Sequence, residues 1–181
     1  MRIARIRDAR SAQRAALTLL SPKPSLAPAF CSRRSWCSSP SQCSDRANST
    51  LGSSKFDPAW SSTIMLSENF LLNDPRVNAP FWNWTRVFLR YCDGSSQTSD
   101  VSSPVVIDPP TPISPIYYRG ARVRAAQQEY LLASAGLGAA KEIVIAGCSA
   151  GGLSTYLHVD KWAAAVPNAK VRGMADSGFF L

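Results

Sequence analysis

Histidine is nearly missing from this 181-residue chain, which carries one, His158. Chemistry that needs a base near neutral pH therefore has a single imidazole to draw on. Long apolar runs are missing too. Nothing approaches the ~20 consecutive apolar residues of a spanning helix, so the chain reads as soluble or peripheral, with no membrane span. Acids are almost missing from the first 36 residues, where Asp8 alone stands against eight of the twenty Lys and Arg, a balance of +7; the remainder, with twelve bases and eleven acids, carries +1. The formal charge of +8 thus belongs to the chain start, and the rest is nearly neutral. Aromatic residues are not interleaved with those arginines, which argues against a nucleic-acid arm. A phosphate-binding P-loop lysine and a G-x-G-x-x-G run are also lacking, and no cofactor or metal is expected.

The basic start is read as a tail over residues 1–30, disordered or an inauthentic gene start joined to a truncated domain at 31–181. Its one apolar stretch, Ala15 to Leu20, falls short of the about 7–15 residues of a secretory signal core. An organelle transit peptide is the other reading of such an arginine-rich start. Five cysteines are an odd count. Cys37 and Cys43 stand six apart in a serine-rich loop and suit a small disulfide, with zinc ligation and free thiols as the alternatives. Asn48-Ser49-Thr50 and Asn83-Trp84-Thr85 satisfy the glycosylation acceptor pattern.

Further along, Thr63 to Leu66 is a short strand candidate. Thr85 to Tyr91 alternates with a period of two and predicts a strand that stops at Asp93-Gly94. The serine-rich segment after it reads as a solvated loop leaving a strand's carboxyl end. Five prolines exclude a helix from Pro104 to Pro115. Arg119 to Ala135 is predicted helical on the spacing of Val123, Ala126, Tyr130 and Leu131 or Ala133, closed by Gly136 and Gly138. Val171 to Ala175 resumes as a strand.

The most informative stretch lies between those last two elements. A β-branched run, Ile143-Val144-Ile145-Ala146, meets Gly147-Cys148-Ser149-Ala150-Gly151-Gly152 and then a helical pattern. The spacing is G-x-S-x-G, expected by chance in roughly one chain in sixteen of this length. Its context of strand, tight turn and helix is what the nucleophile elbow of serine hydrolases requires. Glycine at 147 and 151 lets the turn close. Ser149 then projects at its tip, beside the Ala150 N–H at a helix N-terminus, where an oxyanion can be held. A tightly packed structural turn is the plain alternative. Cys148 is read as a small buried apolar residue rather than a catalyst.

Gly147-Cys148-Ser149-Ala150-Gly151-Gly152-Leu153 with Leu157-His158 and Asp160 resembles the nucleophile segment of the pectin acetylesterase family, which includes the animal carboxylesterase Notum. Three more stretches resemble it in the same order. These are Trp36-Cys37 to Cys43 with Leu51 to Phe56, Phe81-Trp82-Asn83-Trp84 with Arg90 to Ser95, and Ala175-Asp176-Ser177-Gly178-Phe179-Phe180-Leu181.

The resemblance implies an incomplete α/β hydrolase with a mostly parallel sheet and flanking helices. It implies a monomeric, secreted serine esterase acting on acetylated cell-wall pectin, with Trp36 as second oxyanion donor. The family's glycines before Trp36 are replaced by Arg33-Arg34-Ser35, and its cysteine after His158 by Val159. One expected bridge is therefore missing.

A base must come within about 3 Å of the serine hydroxyl, and nine helical residues place His158 about 13 Å along the axis. His158 is accordingly read as a surface or packing residue and Asp176 as structural support. The family's acid and histidine segments are expected beyond Leu181, so impaired activity is expected of the chain as it stands. A non-catalytic carbohydrate-binding pseudo-esterase is the rival reading.

Overall fold

The computed structural model describes residues 4–6, 14–20, 37–49, 52–53, 74–90, 92–107 and 115–178. Among these residues five strands form one sheet: β1 (Ala4–Ile6), β2 (Arg14–Leu20), β3 (Thr85–Arg90), β4 (Glu142–Cys148) and β5 (Lys170–Asp176), in the order β1-β3-β2-β4-β5. β2, β3, β4 and β5 are parallel, and β1 alone runs antiparallel, against β3. Parallel neighbours need crossovers, and the helices α2 (Gly120–Ser134) and α3 (Ala150–Ala165) provide them. A shorter helix, α1 (Pro40–Ala47), begins at Ser39, whose hydroxyl accepts the Gln42 N–H, with proline at its first position.

The segment expected to be a basic tail supplies two of these strands. β2 lies between β3 and β4, pairing Ala15 to Leu20 with Thr85 to Arg90 and Arg14 to Leu19 with Glu142 to Gly147. Its apolar run Ala15 to Leu20, too short for a signal core, has the length of an ordinary strand. The sheet therefore begins well before residue 31.

β4 is buried on both faces, as its uninterrupted apolar run requires. Ile143 and Ile145 join Val87, Leu89, Leu131, Trp162 and Val166 in the main core. Val144 and Ala146, on the opposite face, meet Trp84 and Phe81. Fully burying each of these large side chains contributes about 1.5–3 kcal/mol.

Helix α2 forms over nearly the expected span but buries a different face. Gly120, Arg124, Gln127 and Leu131 point inward, while Val123, Ala126, Tyr130 and Ala133 are exposed. For Gln127 the reason is the neighbour: Gln97, in the loop after β3, donates its Nε2 to Gln127 Oε1 at 3.3 Å. The strand candidate at Thr63 to Leu66 lies outside the described residues. Among the described residues no helix is long and apolar enough to cross a membrane.

Candidate active site

Ser149 stands between β4 and α3 at φ 55° and ψ −118°. That positive φ is one L-residues avoid, and the surrounding backbone holds it in place. The Ser149 N–H donates to the Asp176 carbonyl at 2.9 Å, and the Ser149 carbonyl accepts the Leu153 N–H at 2.9 Å. Ser149 is half-buried, and its hydroxyl has no hydrogen-bond partner among the described residues. Ala150 opens α3, 2 % exposed, so its N–H belongs to the unpaired first turn beside the serine.

Two glycines make the turn possible. A Cβ at Gly147 would lie 2.4 Å from the Gly151 carbonyl group, and a Cβ at Gly152 would lie 2.5 Å from the Asp176 carbonyl oxygen. Gly152 in turn packs on Gly178, where a Cβ would come within 2.4 Å of the Gly152 backbone. The close approach therefore involves the end of β5 as well as the elbow itself, and Gly178 is the member that spacing alone did not single out. Asp176 supports the site through its carbonyl, not its carboxylate.

His158 is 3 % exposed, and its Nε2 lies 3.1 Å from the Ser96 carbonyl oxygen. It is a packing residue, not a surface one. Its Nδ1 is buried with no hydrogen-bond partner among the described residues. Burial first, then the nearby Arg124 charge, holds the imidazole below its ordinary pKa of 6.5, against smaller opposing effects of the Ser96 carbonyl and Asp93. The loop expected to be solvated is what His158 packs against. Ser96 and Gln97 are 0 % and 1 % exposed, both at positive φ.

That loop ties the two helices together. Gln97 Oε1 accepts the Ser154 hydroxyl of α3 at 3.1 Å, and Gln97 Nε2 donates to Gln127 Oε1 of α2 at 3.3 Å. Asp93 accepts the hydroxyls of Ser95 and Ser99, and the Ser99 hydroxyl oxygen accepts the Gly120 N–H at 3.0 Å. The first turn of α2 is thus satisfied by a residue 21 positions earlier. Only the Asp93-Gly94 turn signal hinted at this structure. Serine and glutamine at positive φ have no sequence signature.

Cys37 and Cys43 are joined in a disulfide. Cys148 is half-buried and also disulfide-bonded, which corrects its reading as an apolar thiol. Asn48 and Asn83 are exposed. Trp36 lies outside the described residues. Among the described residues no group of three or more His, Cys, Asp or Glu could hold a metal.

The pectinacetylesterase family model matches residues 34–181. The chain belongs to the pectinacetylesterase family. Within that family's neighbourhood, it is 35 % identical over 150 residues to pectin acetylesterase 7 of Arabidopsis thaliana, covering 81 % of this chain and 35 % of that protein. It is 33 % identical over 154 residues to palmitoleoyl-protein carboxylesterase notum1 of Xenopus laevis, covering 81 % of this chain and 29 % of that one. In three dimensions it is similar to the Drosophila Wnt deacylase Notum, with a TM-score of 0.71 at 22 % identity, over 99 % of this chain and 47 % of that chain. The fold is that of an α/β hydrolase. This pectinacetylesterase-family chain spans about a third of the length of the curated relatives it matches.

Proposed function

We infer that the chain is the nucleophile-bearing part of a serine carboxylesterase that removes acetyl groups from extracellular cell-wall pectin. The observation that carries this is Ser149, held at positive φ between β4 and α3 with its hydroxyl uncommitted. In the reaction, Ser149 Oγ attacks the acetyl carbonyl, and the developing oxyanion is held by the Ala150 N–H, with Trp36 as the second donor. The sugar hydroxyl leaves, and water hydrolyses the acetyl-serine. Each oxyanion donor is worth ~10²- to 10³-fold in rate.

Removing the serine's proton requires a base, and His158 does not reach it, being engaged with Ser96 about two and a half turns along α3. The 181-residue polypeptide by itself is therefore a slow catalyst. A fluorophosphonate tests both statements: slow labelling confined to Ser149, and none in Ser149→Ala, is expected. Labelling that survives Ser149→Ala would remove the nucleophile assignment, and rapid stoichiometric labelling would show a base already in place.

The engagement of His158, the one histidine, with Ser96 favours one second reading, a pseudo-esterase that binds acetylated oligogalacturonide without turnover. Calorimetry showing saturable binding with no acetate release supports it, and absence of binding disposes of it.

A further inference from the structure

The segment leading into β3 reads Phe81-Trp82-Asn83-Trp84-Thr85 and is a turn pinned from one side. The Phe81 and Trp82 N–H groups donate to the Asn78 carbonyl at 3.1 and 2.8 Å, and the Trp84 N–H donates to the Phe81 carbonyl at 3.0 Å. Trp84 is buried and meets Phe81 edge-on, with ring centroids 5.0 Å apart, over Val144 and Ala146. With both outer aromatic rings turned inward, the two residues between them face out: Trp82 and Asn83 are exposed. Asparagine in a turn usually spends its side chain on nearby backbone. The Asn83 carboxamide makes no hydrogen bond among the described residues.

We propose that Asn83 carries an N-linked glycan. Asn83-Trp84-Thr85 is an acceptor triplet, and the folded chain leaves Asn83 exposed, so a glycan added to the growing chain is accommodated without disturbing the core. In the modification, the carboxamide nitrogen forms a bond to the anomeric carbon of a lipid-linked oligosaccharide. The anomeric C–O bond to the lipid pyrophosphate breaks, the pyrophosphate leaves with its electron pair, and the amide gives up one proton. In the native cell this rests on the extracellular reading above.

The position also leaves the serine accessible. Thr85 aligns with Ala15, and Ala15 with Ile143, six residues before Ser149. Asn83 therefore lies at the amino edge of the parallel strands, about 20 Å or more from the elbow along the strand direction. A bulky oligosaccharide fits there without covering the nucleophile. The exposed Trp82 indole beside it offers the first sugar an apolar face.

The test is translation of the full chain behind a cleavable secretory signal in the presence of microsomes. A mobility shift reversed by endoglycosidase is expected, and Asn83→Gln and Thr85→Ala should each remove one glycan. Thr85→Ser should retain it, and Asn48→Gln should leave the Asn83 shift in place. A pattern unchanged by Asn83→Gln overturns the proposal. The supplied signal makes the outcome independent of the chain's own compartment, and Ser149 labelling is scored separately. Transfer occurs on the growing chain, so a variant that folds poorly still reports.

Discussion

Ser149 illustrates how much of this site is set by backbone rather than by side-chain contacts. Its φ of 55° costs on the order of 1–3 kcal/mol in an L-residue, and Gly147 and Gly152 remove the clashes that would forbid it. Ser149→Gly should therefore gain about 1 kcal/mol in chemical denaturation while abolishing fluorophosphonate labelling, whereas Ser149→Ala should lose the labelling without the gain. Gly152→Ala, facing the Asp176 and Gly178 backbones, should destabilise by about 1–3 kcal/mol.

His158 makes the prediction on pH. Its folded-state pKa lies below the ordinary 6.5, so the fold favours the neutral ring. Its stabilising contribution is full above about pH 6.5 and is lost as pH falls from there through the lower folded-state pKa. Thermal melts should show Tm dropping below pH 6.5, and His158→Asn should flatten part of that drop. Equal slopes in the two proteins would show that the imidazole is not the group responsible.

Among the elements, those with strong local signals were legible in the sequence. β3, β4, α3 and β5 fall where period-two patterning, a β-branched run and the G-x-S-x-G spacing put them. The face of α2 was not, because Gln127 is inward for a tertiary reason: the loop after β3 presents Gln97 to it. Nor was the buried loop itself, since serine-rich composition reads as solvent-facing unless its partners are known. The strand-turn-helix around Ser149 was readable because its spacing is local. The Gly152–Gly178 contact and the Ser96–His158 clamp were not, because each joins residues far apart in the chain or on separate elements. Ile145, fully buried in the middle of β4, should give the larger loss: Ile145→Ala is expected to cost about 2–5 kcal/mol by denaturant titration, against less than ~0.5 for Tyr130→Ala on the exposed side of α2.

At the scale of the whole molecule, the decisive feature is where β2 sits. A chain beginning at residue 31 would lack the strand between β3 and β4 and leave both without a neighbour on that side. Such a chain should show no cooperative thermal transition, while the 181-residue protein does. Cooperative melting of the shortened chain would mean that residues 4–20 are dispensable to the sheet.

The placement of β2 also bears on how the protein is made. Arg14 must wait for Glu142 to be synthesised before the two can pair, and contacts between such distant segments slow folding because chain closure precedes any reward. Until then a ribosome-bound chain holds an apolar strand with unsatisfied edges, the kind of species on which chaperones act. The pace of biogenesis, rather than the depth of the final energy well, is where this arrangement leaves the protein most vulnerable.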